Sequence, residues 1–141
     1  MGCAYEQNNY SEYRNLPRGE WRYRDVLEFR PVHMDSLCAG CMVVGLRYDG
    51  AYPYKNICLE VVQTTPAGER CDTMDLALAD DYGNLHGIGI AASFQLTDTM
   101  PRYVHASGTP VRVRHLMRTD TLRGITQVGL FFVPAARGFG L

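Results

Sequence analysis

Cysteines, histidines and a few glycine-rich or acidic segments are where this 141-residue chain could carry out chemistry. The five cysteines are Cys3, Cys38, Cys41, Cys58 and Cys71. Cys38 and Cys41 form one C-x-x-C, "CAGC", but a structural zinc site needs a second ligand pair at short spacing, and Cys58 and Cys71 stand alone. A thioredoxin-like redox motif would need a βαβ setting that the sequence does not offer. For Cys38 and Cys41 this leaves either a local disulfide or two small half-buried thiols. Cys58 and Cys71 are expected to stay apart. A hairpin loop at Pro66–Gly68 places Cys71 opposite Val62, four residues or about 13 Å from Cys58, whereas a disulfide needs about 4.4–6.8 Å between Cα atoms.

The four histidines, His33, His86, His105 and His115, show no metal-binding or metalloprotease spacing. "DDYGN" (Asp80 to Asn84) could offer carboxylate and carbonyl oxygens to calcium, but a tight turn built on two aspartates is the commoner use of such a segment. "GIGIAA" (Gly87 to Ala92) has the letters of a dinucleotide-binding loop. A turn precedes it and strand-like residues follow, however, where that motif needs a strand and then a helix. No nucleophile elbow, phosphate loop or kinase signature is present. The sequence therefore gives no catalytic set, and neither an enzyme activity nor a cofactor or metal is expected.

Aromatic residues offer a different kind of site. In "AYPYKN" the proline holds the backbone extended, so Tyr52 and Tyr54 project to one side, as rings that meet a sugar or a protein hot spot do. Trp21 and Tyr82 could add stacking surface, although aromatic residues at sandwich corners more often cap the core. Arg112, Arg114 and Arg118 line the polar side of a strand and could meet an anionic partner, although a solvated face is the default reading. With a net charge of −1 and no block of like charges, the chain has no electrostatic footprint for nucleic acid.

These residues would be positioned almost wholly by strands. From Trp21 onward apolar residues alternate with period two and helical spacing is nearly absent. Trp21–Phe29, Met42–Tyr48, Ile57–Val61, Met74–Leu78, Ile88–Leu96, Val111–Met117 and Ile125–Val133 read as strands, with "YDGAYP", "TTPAGE", "DDYGN", "DTMPR" and "ASGTP" as turns. The expectation is an all-β antiparallel sandwich, jelly-roll or immunoglobulin-like, of seven to eight strands over residues 21–134, with a loose tail at 135–141. A meander is expected at its centre. Leu59 would face Met74 and Ile57 face Leu76 across one hairpin, while Leu46 would face Ile57 and Val44 face Leu59 across the other. No apolar run approaches the roughly 20 residues that span a bilayer.

Taken in order, "CAYEQNNYSEYRNLPRGEWRYRDVLEF", "VVGLRYDGAYPYKNICLEV", "CDTMDLALADDYGNLHGIGI" and "LRGITQVGLFF" resemble the GldH family of gliding-motility lipoproteins from Bacteroidota. The resemblance covers essentially the whole chain. One departure is Leu85, where the family pattern leads one to expect a tryptophan. The resemblance implies that Cys3 is the acylated first residue of the mature protein and that residues 1–20 form a lipid-anchor tether, with Met1 and Gly2 as remnants of a truncated signal. It further implies a membrane-anchored protein on the periplasmic face or the outer-membrane surface. Its role would be a non-enzymatic interaction or assembly component whose partners are envelope proteins. A glycan-binding module using Tyr52, Tyr54, Trp21 or Tyr82 is the alternative.

Overall fold

The computed structural model describes residues 10–31, 40–65, 67–79, 88–90, 93–100 and 110–134. Eleven strands run through them: β1 (Ser11–Asn15), β2 (Glu20–Arg22), β3 (Leu27–Phe29), β4 (Gly40–Asp49), β5 (Asn56–Thr65), β6 (Gly68–Ala77), β7 (Ile88–Ile90), β8 (Ser93–Thr99), β9 (Val111–His115), β10 (Thr121–Arg123) and β11 (Ile125–Pro134). All pair antiparallel. They form a five-stranded sheet in the order β1-β11-β4-β8-β7, a four-stranded sheet in the order β3-β9-β5-β6, and a two-stranded ribbon of β10 and β2.

Eleven strands exceed the expected seven to eight; the topology is clearest in the eight other than β2, β7 and β10. Renumbered in chain order, these eight lie as 1-8-3-6 in one sheet and 2-7-4-5 in the other. That alternation of successive strands between two sheets is the jelly-roll arrangement, which decides between the two sandwich types. The alternating residues do what period-two burial requires. Met42, Val44, Leu46 and Tyr48 of β4 and Val128, Leu130 and Phe132 of β11 point inward, against Ile57, Leu59 and Val61 of β5, Met74 and Leu76 of β6, and Val111 and Val113 of β9. One core cluster results.

The β5–β6 hairpin has the expected register, with Leu59 opposite Met74 and Ile57 opposite Leu76. The β4–β5 pairing does not form. β4 lies between β11 and β8, so Leu46 faces Val128 and Leu96 rather than Ile57, and Val44 faces Leu130 and Asp98 rather than Leu59. Residues 50–55 therefore cross from one sheet to the other. The cause is that alternation fixes which face of a strand is buried but not its neighbour, and strands facing each other across a core bury the same residues as strands side by side.

Two expected single strands are divided. Trp21 and Phe29 belong to β2 and β3 in different sheets, separated where Asp25 interrupts the alternation. Ile88–Leu96 becomes the β7–β8 hairpin, in which Ile90 faces Ser93. The sandwich also begins earlier than residue 21. β1, within the stretch expected to be tether, pairs with β11 from Ser11↔Phe131 to Asn15↔Gln127, and Leu16 after it is buried. Tyr10, Glu12 and Arg14 lean toward the core. Arg14 pairs with Glu12 (2.7 Å), stacks 4.9 Å from the Phe29 ring centre and donates to the Glu28 carbonyl, tying the two sheets together along one side. A single polar letter string thus hid a strand, because an edge strand needs only one buried side.

Candidate functional site

The expected site residues do not converge. Cys3 and Tyr82 lie outside the described residues, as do Cys38, the "DDYGN" segment, His33, His86 and His105. Trp21 is fully buried, its indole N–H donating to the Asp25 carbonyl at 2.8 Å, so neither ring face is open to a ligand. Tyr52 is 6% exposed and its hydroxyl donates to the Asn56 carbonyl at 2.7 Å. Burial pushes that phenol well above its ordinary range, with Tyr54, Cys58 and Asp75 adding to the effect. Tyr54, at 42% exposure, packs edge-on against Tyr52 with ring centres 5.6 Å apart. Of the four rings proposed for stacking, then, two are core and one of the described three is open.

Tyr52 also explains a glycine. Gly124 has φ +99°, and a Cβ there would overlap the Tyr52 backbone, so both conformation and space demand glycine where β10 turns into β11.

The outer face of the four-stranded sheet gathers the charged residues. Arg114 on β9 donates to Glu60 on β5 at 2.7 Å, and Arg112 pairs with Glu69 on β6 at 2.6 Å. Cys71 donates to the other oxygen of Glu60 at 3.3 Å, and Cys58 donates to Asp75 at 3.5 Å, where Asn56 also donates at 2.7 Å. The Glu60 hydrogen bond raises the Cys71 thiol; burial and then Asp75 raise that of Cys58. Thiols held protonated beside carboxylates are poor nucleophiles. Both are free, as is Cys41, and Cys71 stands opposite Val62 as expected. Among the described residues no group of three or more His, Cys, Asp or Glu could hold a metal ion.

The outer face of the five-stranded sheet is built differently. Across it, pairing aligns Asn15, Gln127, Arg47 and Gln95 in one row, Tyr13, Gly129, Gly45 and Thr97 in the next, and Ser11, Phe131, Val43 and Thr99 in a third. Tyr13 lies flat on the two glycines: a Cβ at either would overlap its ring or hydroxyl. Arg47 stands 5.8 Å from the ring centre, and burial raises the phenol while Arg47 draws it down. Beyond the tyrosine the face turns apolar. Val43 and Phe131 are neighbours, and Val133, 43% exposed, sits beside the exposed thiol of Cys41. Glycines inside "VVGLRY" and "TQVGLF" were the sequence signal for this seat, since glycine in a strand interior marks a close approach.

At one end of the core the β2–β10 ribbon covers His115. The imidazole is fully buried, accepts at Nδ1 from the Met117 N–H (3.2 Å), and meets Trp21 and Tyr23 edge-on at 5.4 and 5.7 Å. Among the described residues no acceptor meets hydrogen-bond geometry at its Nε2, although the carbonyls of Asp120 and Trp21 lie near the ring. Burial lowers its pKa, while the carbonyls of Asp120 and Trp21 and the carboxylates of Asp120 and Asp25 work in the opposite direction.

These features define an all-β jelly-roll domain with two dissimilar broad faces and no assembled acid, base and nucleophile among the described residues. The family model for the GldH lipoprotein matches residues 8–131, and the chain belongs to that family. No curated protein and no solved structure matches it. Membership makes it a membrane-anchored lipoprotein of the cell envelope. The match includes β1, in keeping with a domain that starts before residue 21. Among the described residues no helix is long and apolar enough to cross a membrane.

Proposed function

We propose that the protein is a non-enzymatic envelope component, anchored through lipid on Cys3, that docks other envelope proteins and serves gliding motility or related machinery. The observation that carries this reading is the apolar end of the five-stranded sheet. There Val133 and Cys41 are exposed and Phe131 is half-buried on the outer side of β4 and β11, two long inner strands of that sheet, with Val43 buried (8% exposed) beneath them. Apolar residues gathered on the solvent side of central strands, next to a polar row, have the composition of a protein-binding patch with its rim. An anchored domain meets partners held beside the same membrane, so a modest patch gains from the high local concentration.

A photo-crosslinking residue at Val133 of the lipidated chain in its native cells tests this, with one at Arg112 on the outer face of the other sheet as control. The expected result is a discrete envelope protein captured from position 133 and not from 112. Capture of lipid alone, or equal capture from both positions, overturns the reading. Fatty-acid labelling tests the anchor separately: Cys3→Ser should abolish labelling and release the chain from membranes.

A further inference from the structure

Arginines are finished differently at the two ends of the sandwich. Arg14, Arg30, Arg112, Arg114 and Arg123 each pair with a carboxylate, and Arg47 lies against the Tyr13 ring. Arg18, Arg22, Arg24 and Arg118 are exposed and meet no carboxylate among the described residues. All four sit at the end that the β2–β10 ribbon closes. Arg18 is in the single 3-10 turn Pro17–Gly19 that leads into β2, Arg22 is on β2, Arg24 follows it, and Arg118 precedes β10.

The backbone gathers them. Trp21 pairs with Leu122 and both are buried, so Glu20, Arg22, Thr121 and Arg123 take the outer side of the ribbon. The Tyr23 N–H donates to the Asp120 carbonyl at 2.6 Å, which brings the Arg24 turn beside the Arg118 loop; the Gly124 N–H donates to the Gly19 carbonyl at 2.9 Å, next to Arg18. The acids of this end are otherwise engaged. Glu20 is held by Arg123, the Asp120 carboxylate accepts from the Thr121 hydroxyl at 3.1 Å, and Asp25 and Asp120 lie near the buried His115 ring, neither pairing with an arginine. Beside these charges Tyr23 is 40% and Val26 45% exposed. The Tyr23 ring is held edge-on to His115 and lies 5.3 Å from the Arg114 guanidinium. Open tyrosine and arginine side by side are the residue types that carry most energy in protein interfaces.

We propose that this ribbon end, with Arg22, Arg24 and Arg118 around Tyr23 and Val26, docks an acidic segment of a partner protein, a stretch rich in aspartate or glutamate that also carries an apolar side chain. It is a second surface, separate from the apolar patch at Val133. Carboxylates of the partner supply the charge-assisted hydrogen bonds that the four arginines lack. The position of the ribbon favours a protein over lipid headgroups as the source of negative charge. The Phe132 N–H donates to the Tyr10 carbonyl, so the residues leading toward the proposed anchor join the body at the far end of β11. From there back to Gly124 is roughly 27 Å at about 3.4 Å per residue, which puts the arginines at the end away from the tether. Val26, an aliphatic side chain with no hydrogen-bonding group, favours a peptide side chain over a carboxylated sugar.

Titrating the full 141-residue chain into a fluorescein-labelled peptide that repeats Glu-Glu-Leu, beside the same peptide with glutamine for glutamate, tests the docking. Saturable binding of the acidic peptide alone is expected, weakening as salt rises. Arg118→Glu should weaken it about fivefold or more, whereas Arg30→Glu, the same change of charge at the other end of the sandwich, should weaken it less than about twofold. Val26→Ser should weaken it with every arginine in place. Circular dichroism confirms that each variant is folded. In native cells a photo-crosslinking residue at Val26 should capture a protein at a stretch rich in aspartate or glutamate. No binding of the acidic peptide, equal binding of the two peptides, or equal loss from Arg30→Glu and Arg118→Glu overturns the proposal. So does tighter binding to phosphatidylglycerol vesicles or polyglucuronate than to the acidic peptide, or capture at Val26 of lipid alone or of a stretch without acidic residues.

Discussion

The two outer faces of this sandwich are finished by opposite means. On the five-stranded sheet, one tyrosine is laid on bare backbone: Tyr13 rests on Gly45 and Gly129, and no other side chain fits between. On the four-stranded sheet, long side chains reach across strands and meet by charge, Arg114 with Glu60 and Arg112 with Glu69. Packing against backbone is intolerant of added atoms, because two strands would have to move. Ion pairs with a third of the arginine exposed lose strength to water and salt. One face is therefore rigid and specific, and the other is adjustable.

Substitution separates the two. Gly129→Val places a branched side chain where the Tyr13 ring lies, and should destabilise by about 1–3 kcal/mol in chemical denaturation. Adding Tyr13→Ala should recover part of that loss, a non-additivity that sharpens the claim that the glycine serves the tyrosine. If Gly129→Val alone is neutral, the contrast between the faces fails. Arg114→Ala should cost less, about 1 kcal/mol or below, with much of the effect gone in high salt. An equal loss at low and high salt would mean that the arginine acts by packing, where its guanidinium lies 5.3 Å from the Tyr23 ring centre. Smaller still is Tyr54→Ala, expected within about 0.5 kcal/mol because the ring is largely open; a larger loss would make Tyr54 part of the corner that Tyr52 forms.

The fourth expectation concerns sign rather than size. His115 lies between the faces, and burial lowers its pKa from 6.5. Between the lowered value and 6.5 the unfolded chain binds more protons than the folded one. Stability from the neutral buried ring is therefore fully present above about pH 6.5 and falls as pH drops toward the folded-state value. The melting temperature should decline through that window, and less so in His115→Gln. A profile identical in the two chains would show that other groups set the acid response.

How much of this could be read from the letters depended on distance along the chain. The β5–β6 register was legible because only two residues separate the strands, which leaves little choice of pairing, and alternation on both sides agrees. The partner of β4 was not, since Val44 and Leu46 are buried equally well beside β5 or across the core from it. β1 escaped notice because "SEYRN" has no apolar period. Its burial comes from Tyr13 lying on glycines more than thirty residues away, and from Arg14 stacking on Phe29. Tyr52 and Trp21 were legible as corner aromatics for which capping the core was the commoner expectation, but the groups that would satisfy their polar atoms were not. The carbonyls of Asn56 and Asp25 that satisfy their polar atoms become acceptors only after the chain folds.

The early start of the first strand limits how far the body can stray from its anchor. If the proposed lipid sits on Cys3, the eight residues from there to Ser11 could span at most roughly 28 Å at about 3.5 Å each. A free stretch running to Trp21 would have allowed roughly 63 Å by the same measure. The shorter figure is close to the thickness of a bilayer's hydrocarbon layer, roughly 30 Å. Under the proposed lipidation at Cys3 the body would stay close to the headgroups, and the partners proposed for it would have to meet it there.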